Sequence, residues 1–325
     1  FSRSGFADGE YMICQWYPKP AMYDKEGWHE MPYLDMGEFY SEYASYKVNI
    51  TVPAGYVVGG TGTLQTVSEV ETYKSIGSFN AANRLAKEPR LYQPESTEQN
   101  KTLKYSADSV PDFAWFAEKG LVIEFDTIQL PSGNIIDAFT YYHKRKNTPW
   151  TSSIDFVKDA VHHYSKWIGE YAYPVVQAIE GPKNNSSGGM EYPMITLITS
   201  PDAKPETLDG VIAHEVGHNW FMSMLGTNER DHAWMDEGLN TYFQFRYEAE
   251  KYRSNGVFEA KVPEELKKLN EADFQATVYN AFTQIPIHPA METTSANFKN
   301  SDEYGLTAYV KPAEWMYLLE QNIGM

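Results

Sequence analysis

The N-terminal part of the chain alternates apolar and polar residues in short runs that end at turn-forming residues. Residues 46–52 alternate with the two-residue period of a half-buried strand, and Pro53 ends that run. Residues 59–62 predict a turn, and a strand-like run resumes at 64–70. Residues 71–100 are polar and predict a loop or a short helical insertion. The pattern therefore predicts a β-rich N-terminal segment.

The periodicity then changes from strands to helices. Residues 121–125 and 135–142 are strand-like, whereas residues 153–168 place apolar side chains on one side of a helix. Further helical stretches are predicted around residues 206–225, 236–253 and 262–280. Strands followed by helices predict the α+β class. We place the boundary between a β-rich domain, 1–122, and an α-rich domain, 123–325.

Charge and composition exclude several classes of protein. With 27 basic and 44 acidic residues, the net charge of −17 argues against a nucleic-acid partner. The single cysteine, Cys14, excludes an intrachain disulfide and predicts a small buried side chain. No apolar run reaches the ~18 residues of a membrane span. We expect the natural N-terminus to be missing, which leaves the compartment open, with the cell envelope or secretion favoured over the cytoplasm. The sequence does not indicate an oligomeric state.

The candidate chemistry is concentrated in residues 214–218, His-Glu-Val-Gly-His. Two residues four apart lie on one face of a helix, so His214 and His218 can bind the same metal ion. Glu215 is then next to the first ligand, where its carboxylate can reach a metal-bound water. The alternative is that both histidines are hydrogen-bonded core residues with Glu215 as their partner.

A zinc hydrolase usually has three protein ligands and leaves one position for water. Glu237 follows His218 by 19 positions, at the start of the next helical stretch, and is the candidate third ligand. The alternative is that Asp236 and Glu237 only stabilise a helix N-terminus through its dipole.

The spacing of these residues resembles that of the gluzincin zinc metallopeptidases of the aminopeptidase N family. Residues 188–192, Gly-Gly-Met-Glu-Tyr, resemble the Gly-x-Met-Glu-Asn motif of that family, and Glu191 precedes His214 by 23 residues. Residues 309–312, Tyr-Val-Lys-Pro, resemble its Tyr-x-Lys-Gly motif. Residues 13–16, Ile-Cys-Gln-Trp, resemble a segment that contributes a Gln or Glu to the substrate's amino terminus.

The resemblance implies a particular fold. We expect a partial N-terminal β-sandwich-like domain, followed by a thermolysin-like zinc catalytic domain. The helical C-terminal domain of the family is expected to be absent, so that the catalytic domain is truncated at its C-terminal end.

The resemblance also implies roles for individual residues. One Zn²⁺ per chain would be bound by His214, His218 and Glu237, and Glu215 would be the general base. The remaining residues act on the substrate: Tyr309 stabilises the tetrahedral intermediate, while Glu191, Gln15, Gly188 and Gly189 bind the peptide and its free amino end.

The expected function is thus hydrolysis of the N-terminal residue from peptides with a free N-terminus. Two alternatives stay open from the sequence. One is a gluzincin endopeptidase, and the other is a catalytically silent peptide-binding protein with the same fold.

Overall fold

A computed structural model of the chain describes residues 3–7, 9–34, 36–84, 88–94, 99–184, 188–252, 268–270, 273, 276–277, 280 and 289–324. The chain divides into two compact units. The first unit comprises Phe1–Lys19 and Tyr43–Asn219, and the second comprises Pro20–Glu42 and Trp220–Met325. Most of the helix predicted at 262–280 lies outside the described residues.

Fourteen strands are present in the described part of the chain. They are β1 (Gly5–Ala7), β2 (Glu10–Ile13), β3 (Met22–Asp24), β4 (Gly27–His29), β5 (Ala44–Pro53), β6 (Tyr56–Gly60), β7 (Thr63–Leu64), β8 (Asn100–Val110), β9 (Trp115–Lys119), β10 (Leu121–Gln129), β11 (Ile135–His143), β12 (Val175–Glu180), β13 (Gly189–Met190) and β14 (Ile195–Ile198).

The helices alternate with these strands and then follow them. They are α1 (Val67–Asn83), α2 (Ser153–Trp167), α3 (Pro205–Phe221), α4 (Glu229–Ala233), α5 (Leu239–Tyr252), α6 (Ser301–Tyr304) and α7 (Lys311–Ile323). Two π-helical segments, Trp234–Gly238 and Gly305–Val310, directly precede α5 and α7. Short 3₁₀ turns span Pro149–Ser152 and Ser295–Asn297.

Three sheets form the framework of the first unit. Their strand orders are β1-β2-β9-β6, β5-β8-β7 and β10-β11-β12-β14-β13. The last sheet is mixed, because β11, β12 and β14 run parallel while β10 and β13 are antiparallel to their neighbours. Every residue of β12 and β14 is buried, which is typical of central strands that are covered on both faces.

Helix α1 differs from the prediction for its region. The strand predicted at 64–70 ends at Leu64, and a helix of 17 residues takes the place of the predicted loop or short insertion. Tyr73, Gly77 and Asn80 are the buried residues of this helix. Asn80 donates hydrogen bonds to the carbonyl oxygens of Ile123 (2.8 Å) and Arg90 (2.9 Å). A glycine and an asparagine produce no apolar stripe, so the hydrophobic period could not reveal this helix.

Most other predicted elements of the first unit are confirmed, but the turn predicted at 59–62 is limited to residues 61–62, because Gly59 and Gly60 belong to β6. The strands predicted at 46–52, 121–125 and 135–142 lie within β5, β10 and β11, and the helix predicted at 153–168 is α2. Helix α2 buries Ile154, Val157 and Val161 on one side, as its period indicates. Helix α3 begins at Pro205, and its residues up to Asn219 belong to this unit.

The second unit contains the β3–β4 hairpin and the elements from α4 to α7. The helix predicted at 236–253 is present as the segment Trp234–Gly238 followed by α5. Ala233, Phe298, Tyr304 and Ala308 form a buried cluster within the unit.

The chain is thus a mixed α+β protein, as predicted. Other expectations about the fold remain predictions. They are the domain boundary at residues 122 and 123, the sandwich-like and thermolysin-like layouts, and the expected absence of the helical domain. In the part of the chain that the structure describes, no helix has both the length and the apolar character needed to cross a membrane.

Candidate metal centre and active site

Helix α3 presents the two histidines of the zinc motif on one face. Leu208, Ile212 and Val216 are fully buried and fix the apolar side of the helix. His214 and His218 are one turn apart, and their Nε2 atoms lie 3.0 Å from each other. His218 is buried, whereas His214 is half-buried.

The convergence of the two imidazoles fits a zinc ion. Two ring nitrogens at this distance repel each other through their lone pairs unless a proton or a cation lies between them. Tetrahedral zinc with Zn–N bonds of ~2.0–2.1 Å keeps its ligand atoms roughly 3.3 Å apart, so only a small separation of the rings is required. The alternative is a hydrogen bond from one ring to the other. In that case His214 and His218 would be the hydrogen-bonded core residues that the sequence also allows.

Gly189 in β13 allows the Glu215 carboxylate to lie against the strand. A Cβ atom on Gly189 would be 2.4 Å from Oε1 of Glu215, so the carboxylate would have to move away. The adjacent Gly188 has room, because the nearest atom to its Cβ position is 3.9 Å away. The structure therefore brings Gly189 and Glu215 together and gives a physical reason for a glycine at this position.

Glu191 directly follows β13 and is buried. The turn after it contains Met194 in a left-handed conformation with φ of 63°, which is unusual for a side-chain-bearing residue. Its N–H donates to Oδ1 of Asn219 at 2.9 Å. Asn219 immediately follows His218, so its side chain ties the turn after Glu191 to the metal-binding end of α3. Asn219 could not be predicted as a site residue, because nothing near it in the sequence indicates its partner.

Gln15 lies just beyond β2, with φ of 54°. Its Nε2 donates to Oδ2 of Asp112 at 3.2 Å, so the carboxamide is oriented by that carboxylate. The neighbouring Cys14 is buried beside Tyr192, and burial raises the pKa of its thiol above the usual range. The prediction that Cys14 is a buried small side chain is confirmed.

Glu237 and Tyr309 are brought together in the second unit. Each lies in one of the two π-helical segments, and the Tyr309 hydroxyl donates to Oε1 of Glu237 at 2.5 Å. The ring of Tyr304 packs edge-on against Tyr309 at 5.6 Å, and the Tyr304 hydroxyl accepts a hydrogen bond from the N–H of Gly37 at 3.0 Å. Burial, followed by the charge of Glu237, raises the pKa of Tyr309 well above its usual range. π-Helical turns are rare and frequently occur at functional sites.

Gly238 permits the close approach of these two segments. A Cβ atom there would be 2.1 Å from Cγ of Pro312 and 2.8 Å from the Ala308 carbonyl oxygen. Pro312 stands where the family motif has glycine, and it lies in the first turn of α7, a position that tolerates proline.

Three contacts between predicted site residues are therefore present within the units: His214 with His218, Gly189 with Glu215, and Glu237 with Tyr309. The binding of one zinc ion by His214, His218 and Glu237 stays a prediction, as do the roles assigned to the other site residues.

Comparison with known proteins places these features in a family. The profile described as "Peptidase family M1 domain" matches residues 153–325. Over 238 residues the chain is 23% identical to a protein named Leucine aminopeptidase 2 from Chaetomium globosum, which covers 71% of this chain and 36% of that protein. The chain thus spans about a third of that relative's length.

Solved structures show the same fold. A structure of an M1 zinc metallopeptidase from Deinococcus radiodurans is 16% identical, with a TM-score of 0.57 over 88% of this chain and 55% of that chain. Aminopeptidase A from Legionella pneumophila, in complex with aspartic acid, is 17% identical, with a TM-score of 0.63 over 98% of this chain and 32% of that chain.

The contact at Gly238 leads to a stability prediction. We expect Gly238→Ala to lower the free energy of unfolding by about 1–3 kcal/mol, because the added methyl group overlaps Pro312 and the Ala308 carbonyl oxygen. Gly305→Ala is the matched control, because this glycine begins the other π-helical segment and its Cβ position has no atom within 4 Å. It should leave stability unchanged or raise it by up to ~1 kcal/mol. Denaturant unfolding measures both, and equal stability of the two variants would contradict the account.

Proposed function

Because the chain belongs to peptidase family M1, we propose that it is a zinc-dependent aminopeptidase that removes the N-terminal residue from peptides. The observation that carries this proposal is the arrangement on α3, where two imidazole nitrogens converge at 3.0 Å and Glu215 lies between the two histidines in sequence. The names of the relatives, a leucine aminopeptidase and a zinc metallopeptidase, agree with it.

Zinc would be bound by His214, His218 and Glu237. Two imidazoles and one carboxylate form a donor set typical of catalytic zinc, which keeps a fourth position for water. The support for His214 and His218 is geometric, whereas Glu237 is supported by its spacing from His218 and its buried position in a π-helical turn. When bound, zinc would lower the pKa of water and polarise the peptide carbonyl group.

Glu215 would move the proton. Its carboxylate accepts a proton from the attacking water and then passes it to the nitrogen of the leaving amine. The side chain is only 6% exposed, which limits access of competing bulk water. Because Gly189 has no Cβ atom, the carboxylate occupies the space against β13. This contact supports a fixed position for the proposed base.

Tyr309 would stabilise the negative charge that develops on the substrate carbonyl oxygen. Its hydroxyl is a hydrogen-bond donor, and the residue is held by the ring of Tyr304 and by the carboxylate of Glu237. The hydroxyl has a single proton, which it donates to Glu237 in this structure, so it would stabilise the substrate oxygen only after turning away from that carboxylate.

Glu191 and Gln15 would bind the free α-ammonium group of the substrate. A buried carboxylate is favourable beside a cation, so Glu191 would favour substrates with a charged amino end over those without one. Gln15 adds a neutral amide oxygen, because its NH₂ group is directed to Asp112. The backbone of Gly188 and Gly189 would line the cleft beside the peptide.

The finer fold assignment is part of the same proposal. A thermolysin-like catalytic domain after a β-sandwich-like domain is supported by the family match beginning at residue 153 and by the mixed five-stranded sheet.

The role of Glu215 is tested by substitution. We expect Glu215→Gln to lower kcat by about 10²–10⁴-fold, because glutamine keeps the shape of the side chain but cannot accept the proton. Bound zinc, measured by elemental analysis, should stay at the wild-type level, since Glu215 is not a proposed ligand. Glu206→Gln in the first turn of the same helix is the control and should keep wild-type activity. A fully active Glu215→Gln enzyme would exclude this base.

The two adjacent glycines provide a second test. We expect Gly189→Ala to lower kcat/KM by roughly 10²-fold, because the new methyl group displaces the Glu215 carboxylate from its position. Gly188→Ala should keep kcat close to wild type, because its Cβ position is 3.9 Å from the nearest protein atom and does not reach Glu215, and contact of the new methyl group with the peptide would change KM only. Steady-state kinetics on an aminoacyl substrate, together with the melting temperature of each variant, separates displacement of the base from unfolding. Similar kinetics for both variants would contradict the proposed placement.

A further inference from the structure

A second group of charged side chains lies in the first unit, apart from the residues assigned above. Glu10 begins β2, Glu118 is in β9, and His143 ends β11. Each offers one ligand atom, and these atoms all lie within 4.8 Å of one another. Glu180, at the end of β12, contacts His143, and Arg145 contacts Glu180.

The sheet itself forces the two carboxylates together. Strands β2 and β9 are antiparallel, with Tyr11 opposite Ala117, so the next pair along the register is Glu10 opposite Glu118. Like charges directly opposite each other destabilise a sheet. The arrangement is unfavourable unless a cation or a proton compensates for it.

Glu10 is the carboxylate of this group that lacks hydrogen bonds, and the charge of His143 compensates for it only in part, because burial and then the charge of Glu118 raise the pKa of Glu10 to about 8. It is only 1% exposed, and neither of its carboxylate oxygens has a hydrogen-bond partner in the described part of the chain. Burying a carboxylate without a partner is costly. Glu124, another buried carboxylate of this unit, differs because it accepts a hydrogen bond from the Tyr142 hydroxyl at 2.9 Å.

His143 is oriented as a metal-binding histidine usually is. Its Nδ1 lies 3.1 Å from Oε2 of Glu180, and the same oxygen accepts the His143 backbone N–H at 2.8 Å. Arg145 holds the other oxygen of Glu180. A ligating histidine commonly donates its second N–H to a carboxylate in this way, which fixes the ring and its tautomer. The other ring nitrogen, Nε2, faces Oε2 of Glu118 at 2.6 Å.

We propose that Glu10, Glu118 and His143 bind a divalent transition-metal ion, with Zn²⁺ as the best-fitting ion. Two carboxylate oxygens and one imidazole nitrogen match its preferred ligands, and water would complete a tetrahedral set. Tetrahedral ligand atoms lie roughly 3.3 Å apart, so Glu118 and His143 must separate slightly on binding. The half-buried ring edge of His143 gives the ion a path from solvent.

The competing explanation uses a proton in place of a metal. A protonated His143 ring can donate to both Glu118 and Glu180, and these two carboxylates raise the pKa of His143 to about 10. That arrangement satisfies the two carboxylates but not Glu10, which accepts no hydrogen bond from the ring. A cation within reach of all three ligand atoms satisfies Glu10 as well. The ion would also connect the sheet that contains β2 and β9 to the end of β11.

Zinc stoichiometry tests the proposal independently of catalysis. After equilibration with Zn²⁺ and removal of loosely bound metal, we expect elemental analysis to find two zinc ions per wild-type chain and one in Glu10→Gln. The double variant His214→Ala, His218→Ala should also contain one, and adding Glu10→Gln to it should leave none. Glu124→Gln is the control for a buried carboxylate and should keep the wild-type content. Equal zinc content in wild type and Glu10→Gln would overturn the proposal, whatever happens at His214 and His218.

Thermal unfolding gives a second measurement, because Glu10→Gln should have opposite effects on the melting temperature in the absence and in the presence of zinc. Glutamine has the shape of a protonated glutamate, so Glu10→Gln should fold, and without metal it should melt at or above the wild-type temperature. With excess Zn²⁺, the double histidine variant should gain melting temperature, and that gain should disappear when Glu10→Gln is added. If the double variant does not fold, the same comparison is made in the wild-type background. An equal zinc-dependent shift with and without Glu10→Gln would overturn the proposal.

Discussion

The candidate metal centre depends on the contact between two imidazole nitrogens one helical turn apart. Side chains at this spacing can meet only on a helix, so the chemistry of His214 and His218 requires α3 to be firmly packed. Its buried residues provide that packing, and Asn219 attaches the turn after Glu191 to the same end of the helix. The close approach of β13 then follows, because only a glycine at 189 leaves room for the Glu215 carboxylate.

In the second unit, irregular helical segments position the candidate site residues. Glu237 and Tyr309 each lie in a π-helical turn, where the backbone is wider than in an α-helix and side-chain directions change. Such turns are less stable than α-helix, so neighbouring contacts must hold them. The contact of Gly238 with Pro312 and the hydrogen bond from Gly37 to Tyr304 are of this kind. The two π-helical segments therefore contain Glu237 and Tyr309, which the sequence predicts to be site residues.

The sequence predicted most reliably what depends on nearby residues. Helix α3 and its histidine pair were predictable because both the helical period and the spacing of metal ligands are local features. Helix α1 was not predictable, because its buried face contains Gly77 and Asn80 rather than a stripe of apolar side chains. Gly77 allows a close approach to β10, and Asn80 donates to a backbone carbonyl oxygen of that strand. Asn219 and Gly238 were missed for a related reason, since their partners are distant in sequence. The same is true of Glu10, Glu118 and His143, which come from three strands.

The proposed aminopeptidase activity is tested most directly by asking whether catalysis requires a free amino end. The measurement is kcat/KM of the purified zinc-loaded protein for a peptide and for its N-acetylated form. Acetylation removes the charge that Glu191 is proposed to bind, and loss of one partner of a buried charge pair corresponds to a decrease of roughly 10²-fold or more. We expect cleavage of the free peptide after its first residue and almost no cleavage of the acetylated one. Comparable hydrolysis of both, or cleavage within the peptide, would contradict the proposed activity.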